Sequence, residues 1–185
     1  MINKTIALTL IFFICFFACK ETNYIDITWC YLDSYENEGF NKFSSYLSDT
    51  ILIVDGDYHK SYSLADFQEY FEWDSVFNPQ FDLLEISSVG NNVFLTISSQ
   101  SKRFEFLENN PLVTKQKITF KENKIHKIEI LENVDVNWEL WTQKRDSLVK
   151  WTKKNQPELS GFINDMTKAG SEKYLKAIEL YNDKK

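Results

Sequence analysis

Residues 51–71 read ILIVDGDYHKSYSLADFQEYF, and the side-chain pattern changes three times within them. Ile51-Leu52-Ile53-Val54 is an apolar, mostly β-branched run, the composition of a strand. Asp55-Gly56-Asp57 interrupts it with a turn signal, so residues 58–62 pair back as the second arm of a hairpin. Ser63 then opens a helix. Its hydroxyl can accept from the amide of Asp66, and the Asp66 carboxylate can reach back to the Ser63 amide. Leu64, Phe67, Tyr70 and Phe71 form the apolar stripe of that helix, which runs to about Trp73 and is closed off by Asn78-Pro79.

Working outward toward the N-terminus, Tyr24, Ile27, Tyr31 and Tyr35 are spaced by three and four residues, which predicts a helix over 23–38. Gly39 interrupts it, and Phe40, Phe43 and Leu47 predict a second short helix. Toward the C-terminus, residues 81–89, 93–101, 114–121 and 125–131 read as four strands. Gly90-Asn91-Asn92 and Glu122-Asn123-Lys124 are turns short enough to require antiparallel neighbours. A longer connection, 103–113, joins the two hairpins. Val93, Leu95 and Ile97 are expected on one face, as are His126, Ile128 and Ile130. Two helical stripes close the chain, one through Trp138, Trp141, Leu148 and Thr152, the other through Tyr174, Leu175, Ile178 and Tyr181.

The 185 residues fit one domain with an appendage, and 43% hydrophobic side chains supply enough material for a core. The net charge of −6 argues against nucleic acid, which needs a basic face to displace counterions. The charge is unevenly distributed: residues 20–137 carry a net −10 and residues 138–185 a net +3. The basic run Lys144-Arg145, Lys150, Lys153-Lys154 reads first as a solvated face, and second as a face toward anionic headgroups. Three cysteines cannot build a disulfide framework, and no HxxxH or HxH spacing offers a metal site. There is no Gly-rich phosphate loop, no Ser-centred nucleophile elbow, and no cofactor motif.

The order helix, short helix, hairpin, helix, four strands, together with residues 51–71 and 118–130 (ITFKENKIHKIEI), resembles the nuclear transport factor 2-like superfamily, also called SnoaL-like. The resemblance covers residues 23–131. It implies an α+β fold: a cone-shaped, curved antiparallel sheet wrapped around the N-terminal helices, with a cavity at the wide end. Residues 132–185 would then be an extra C-terminal helical extension. The resemblance also implies that a homodimer can form through the outer sheet face. Isomerase members, ketosteroid isomerase among them, use a carboxylate base and an oxyanion hole of Tyr plus a protonated acid.

Against that background, Tyr31, Tyr35, Trp73 and His126 are the candidate ligand contacts. Tyr31 with either Asp55 or His126 is the candidate catalytic set if the domain is an enzyme. Each has a plainer reading. Asp55 and Asp57 belong to a hairpin turn, where carboxylates face water. His126 on an apolar face is the pattern of a satisfied core histidine, and His59 sits in an edge hairpin. Cys30 has no neighbouring base in sequence. Trp138 and Trp141 at i, i+3 fit a helix packed on the sheet, and the aromatic helices fit core packing generally.

The chain begins MINKTIALTLIFFICFFACKE. Residues 5–18 carry no charge, and at ~1.5 Å per residue a helix of that length spans about 21 Å against roughly 30 Å of hydrocarbon. A signal-peptide core fits better than a spanning helix. Phe17-Ala18-Cys19 resembles a bacterial lipoprotein signal, which implies cleavage after Ala18, acylation of Cys19, and a tether over 19–22. The alternatives are an ordinary signal peptide cut nearby and an uncleaved anchor. Lys20-Glu21 resembles the start of a surface-export tag, so a periplasmic and a cell-surface location both stand. Cys30 would be the only thiol left in the mature chain. The favoured function is a lipid-anchored cell-envelope protein whose noncatalytic cone binds a small apolar or amphipathic ligand or a protein partner. The alternative is an isomerase- or dehydratase-type enzyme.

Overall fold

A computed structural model describes residues 23–183. The expected signal segment, the expected tether and Cys19 lie outside the described residues. Asn23 caps the first helix, α1 (Tyr24–Asn37), its side-chain oxygen accepting from the Ile25 amide at 3.1 Å. Gly39, with φ of +77°, takes a conformation closed to most L side chains and turns the chain into α2 (Phe40–Ser44). This helix is shorter than the Phe40, Phe43, Leu47 spacing predicts. Leu47 instead begins β1 (Leu47–Asp55) and is fully buried from that strand. Pairing of β1 along both edges outweighs one more turn of a marginal five-residue helix.

The hairpin read from residues 51–62 forms as expected, with β2 (Tyr58–Ser63) placing His59 opposite Val54 and Tyr58 opposite Asp55. Ser63 caps α3 (Leu64–Ser75) with a complete capping box. The Asp66 amide donates to Ser63 Oγ at 3.2 Å, and the Ser63 amide donates to Asp66 Oδ2 at 3.2 Å. The Ser63 hydroxyl, donating to Asp66 Oδ2 at 2.7 Å, and then the Ser63 amide hold the Asp66 carboxyl below its ordinary range. There follow β3 (Gln80–Val89), β4 (Asn92–Gln100), a short α4 (Lys102–Phe106) within the longer connection, β5 (Leu112–Lys121), β6 (Lys124–Val134), α5 (Trp138–Asn155) and α6 (Lys168–Asp183).

The six strands form one sheet in the order β2-β1-β6-β5-β4-β3. All neighbours are antiparallel except β1 and β6, which run parallel. Register shifts interrupt the ladders at four places, one of them between Leu47 and Leu52 where β1 pairs with β6. Leu84 is skipped between Leu83 and Glu85 in the β3–β4 ladder, and Leu131 and His126 are skipped in the β5–β6 ladder. The bulge at His126 corrects the expected face of β6. Phe120 lies opposite Ile125 and Thr119 opposite Lys127, so Ile125 and Ile128 are the buried pair, and His126 is left half-buried outside the register. A strict period of two cannot register an extra residue.

The buried sheet face, carrying Ile51, Val93, Leu95, Ile97, Ile118, Phe120, Ile125 and Ile128, meets Tyr31, Phe43, Phe67 and Phe71 from the three helices. Phe43 is the hub: its ring centroid lies 4.9 Å from Tyr31, 4.9 Å from Tyr35, 5.2 Å from Phe71 and 5.9 Å from Phe67. Burying one such side chain contributes about 1.5–3 kcal/mol. A second core joins the C-terminal helices to this body. Trp73 from α3 and Phe77 just beyond it pack with Phe106, Leu107, Leu148, Phe162, Tyr174, Ala177 and Ile178. No helix among the described residues is long and apolar enough to cross a membrane.

Candidate functional site

The stripe Phe67, Tyr70, Phe71 continues one turn further to Asp74, which puts a carboxylate on the apolar side of α3. Tyr35 on α1 meets it there, donating from its hydroxyl to Asp74 Oδ2 at 2.8 Å. Burial pushes the Asp74 carboxyl above its ordinary range. The Arg103 charge and the Tyr35 hydrogen bond pull the other way without cancelling that effect. Burial likewise raises the hydroxyls of Tyr31, Tyr35 and Tyr70 well above the usual phenol range, so all three stay protonated donors.

Beside this pair lies a cleft of about 240 Å³, bounded by Tyr70 and Trp73 of α3, Arg103 of α4, Leu107, Trp141 and Arg145 of α5, Ile163 and Met166 of the preceding loop, and Tyr174 of α6. Arg103 is one of its lining residues. Its guanidinium carbon is 5.0 Å from the Trp73 ring centroid, 4.8 Å from Phe104, 5.7 Å from Phe77 and 5.8 Å from Trp141. Aromatic faces therefore stabilise its charge, and no ion pair holds it among the described residues. Its Nε and the Nε1 of Trp73 are both buried without a hydrogen-bond partner among the described residues. An orphaned buried donor costs about 1–3 kcal/mol, more when charged. Trp73 is only 5% exposed, so its indole N–H has little access to bulk water. The lining residues thus combine aromatic rings with two donors that lack an acceptor and are themselves buried.

A larger groove of about 700 Å³ lies between α4, α5 and α6. Its rim is mostly charged and amide side chains, including Lys102, Glu105, Gln143 and the ion-paired Lys144 and Glu108. Such a surface is already satisfied by water and by its own pairs, and so offers less to an apolar ligand.

The four candidate ligand contacts are dispersed. Tyr31 is buried in the first core, with its ring against Phe43. Tyr35 holds Asp74, Trp73 walls the cleft, and His126 sits in the β6 bulge. Of the alternative catalytic set, Asp55 is exposed at the end of β1. It pairs with Ile130, four residues along β6 from His126, so the two are separated by about 13 Å of strand. His59 is exposed, its Nε2 3.2 Å from the Gly56 carbonyl, and Cys30 is an exposed free thiol. Of the basic run, Lys144 pairs with Glu108 and Arg145 with Asp146, while Arg145 also reaches the cleft. Trp141 belongs to the cleft, and Trp138 is half-exposed beside it, the ring centroids 5.6 Å apart. No group of three His, Cys, Asp or Glu among the described residues has the geometry of a metal site.

Asp74 and Arg103 are the two residues the sequence reading missed. For Asp74 a signal existed: an acid continuing an apolar helical stripe. Arg103 had none, because it lies on a five-residue helix inside a connection and acquires its aromatic cage from the end of α3, from its own neighbour Phe104 and from α5.

No protein-family model and no curated protein matches the chain. Solved structures do. A protein of Sinorhizobium meliloti assigned as a polyketide cyclase superposes with a TM-score of 0.50 at 13% identity, covering 59% of this chain and 99% of its own. A protein of Kribbella flavida assigned as a ketosteroid isomerase superposes with a TM-score of 0.50 at 9% identity, covering 62% of this chain and 82% of its own. At these identities the likeness concerns the fold: the chain has the nuclear transport factor 2-like, SnoaL-like architecture.

Proposed function

We propose that this chain is a lipid-anchored protein of a bacterial cell envelope that binds a small amphipathic molecule without transforming it. One observation carries the binding part. The sheet's buried face is packed with the protein's own rings, while an aromatic-lined cleft of about 240 Å³ stays open at the end of α3. The anchor rests on the Ala18-Cys19 sequence following a short apolar run. Acyl chains on Cys19 contribute ~0.8 kcal/mol per buried methylene, and more than one chain makes attachment effectively permanent. Cys19→Ser should move the protein from the membrane to the soluble fraction; unchanged retention sinks the anchor. Protein isolated from its native host should carry a stoichiometric small molecule in native mass spectrometry; a consistently bare chain sinks the binding role.

The Tyr35–Asp74 pair favours a second reading, an enzyme of the isomerase or dehydratase kind, because it is a carboxylate held inside the fold with its proton affinity raised. Asp74→Asn separates the two. A binding protein keeps its ligand stoichiometry in this variant, and an enzyme loses turnover. Leu84, Val89 and Leu131, exposed on the sheet, support a homodimer through that surface. Sedimentation of the wild type against Leu131→Lys measures it.

A further inference from the structure

We propose that the domain stands on its membrane by the end that carries the β3–β4 and β5–β6 turns, which presents the cleft to the aqueous phase. The inference rests on the anchor and the binding role above and names the surface that meets the lipid. Only Lys20, Glu21 and Thr22 lie between Cys19 and Asn23. An acylated Cys19 is therefore held within about 14 Å of the start of α1, the full reach of four residues. That start belongs to one end of the sheet. The Tyr24 ring stacks on Phe120 with centroids 4.5 Å apart, and its hydroxyl donates to Asn123 Oδ1 at 3.4 Å. The Phe120 amide donates to the Asn91 carbonyl, and the Asn91 side-chain amide donates back to the Phe120 carbonyl, both at 2.8 Å. The two turns and the first turn of α1 thus form one end of the body.

The cleft belongs to the other end. Tyr35, the partner of Asp74, lies about 17 Å along α1 from Tyr24. β5 and β6 each cover about 30 Å between their shared turn and the segments that carry Arg103, Leu107, Trp141 and Arg145. That is about twice the reach of the tether, so the cleft nears the bilayer only if the body lies on its side. Charge opposes lying on the helical flank. α1 and α3 carry Asp26, Asp33, Glu36, Asp66, Glu69 and Glu72 and no Lys or Arg, and anionic headgroups repel them. The turns offer a different surface. Lys121 and Lys124 are exposed around Glu122 and Asn123, and Val89, 69% exposed, adds an apolar contact. The basic run of α5 is at the opposite end and, in this orientation, faces water.

The test uses the full acylated chain, purified in detergent and reconstituted into vesicles of phosphatidylethanolamine and phosphatidylglycerol that contain a lipid spin-labelled on its headgroup. A Cys30→Ser background removes the exposed thiol. Lys121→Cys at the β5–β6 turn and Lys153→Cys on α5, both exposed positions, then carry the same fluorophore. The spin label should quench the fluorophore at position 121 at least threefold more than the one at position 153. Val89→Cys repeats the first measurement if Lys121→Cys does not fold. Equal quenching at the two ends means that the body lies on its side and overturns the proposal. Stronger quenching at position 153 overturns it by putting the basic helix on the lipid. The mass of the N-terminal peptide from the same sample separates the failures. Where Cys19 carries acyl chains and the contrast is absent, only the orientation falls. Where Cys19 carries none, the anchor falls and the orientation with it.

Discussion

The Tyr35 hydroxyl on α1 donates to Asp74 Oδ2 on α3 across 2.8 Å, so two helices that face one sheet are also tied to each other by a carboxylate inside the fold. The same Tyr35 ring packs edge-on against Phe43 at 4.9 Å and Phe71 at 4.8 Å, which leaves the hydroxyl little freedom to point elsewhere.

Replacing that donor leaves a buried carboxylate short of a partner. Tyr35→Phe should cost about 1.5–3 kcal/mol at neutral pH, the range for hydrogen bonds to charged groups. The cost should shrink as pH falls and Asp74 takes up its proton, because the lost bond is then one between neutral groups. Urea unfolding of wild type and variant at several pH values between 7 and 4 measures both; a pH-independent cost would show that Asp74 is not the group concerned.

Asp74 makes its own pH dependence. Its folded carboxyl binds a proton more tightly than the unfolded one, whose ordinary value is 3.8. The folded state thus gains from this group at low pH, and the gain is lost as pH rises from 3.8 through the raised folded value. Asp74→Asn removes the titration. The variant should be at least as stable as wild type at pH 7, with the difference moving in favour of wild type toward pH 4. Stability differences that move in the opposite direction would refute the assignment.

Phe43 is wholly buried and touches five other rings, so Phe43→Ala should cost about 3–5 kcal/mol through lost burial and an unfilled cavity. The exposed Trp29 on α1 provides the control, since Trp29→Ala should stay within about 0.5 kcal/mol. Chemical denaturation midpoints at fixed m-value compare them.

Gly170 lies in the first turn of α6 against Asp165, and a Cβ there would collide with the Asp165 carbonyl oxygen and side chain. The obstacle includes backbone, so it cannot swing away as a flexible side chain would. Gly170→Ala should therefore cost about 1–3 kcal/mol through overpacking. The loss should register at the second core, where Tyr174 and Ile178 of α6 pack on Phe77 and its neighbours. Near-ultraviolet circular dichroism of the Trp and Tyr bands, followed through melting, reports it.

Much of the fold was legible in local chemistry. The Ser63–Asp66 capping box, the Asp55-Gly56-Asp57 hairpin and the short turns of the two later hairpins depend on residues a few positions apart, and they formed where they were read. Leu47 and His126 escaped the same reasoning. Leu47 fits a helical stripe and a strand equally well until β6 is present to pair with β1, and a bulge shows no trace in alternation until the partner strand fixes which residue is skipped. The candidate site divided in the same way. Trp73 was legible as an aromatic residue at the end of α3, but its orphaned N–H exists only because Arg103 and the C-terminal helices close around it.

By itself the sequence determined the periodicities, caps and turns, and through them an aromatic-lined curved sheet with helices on one face, since these follow from near neighbours along the chain. Tertiary structure alone decided that β1 lies parallel to β6, that Asp74 turns inward to Tyr35, and that segments from α3, α4, α5 and α6 enclose one cleft. The physical reason is distance along the chain: a buried donor or acid is recognisable only beside the groups that desolvate it, and folding brings those groups from far-separated segments.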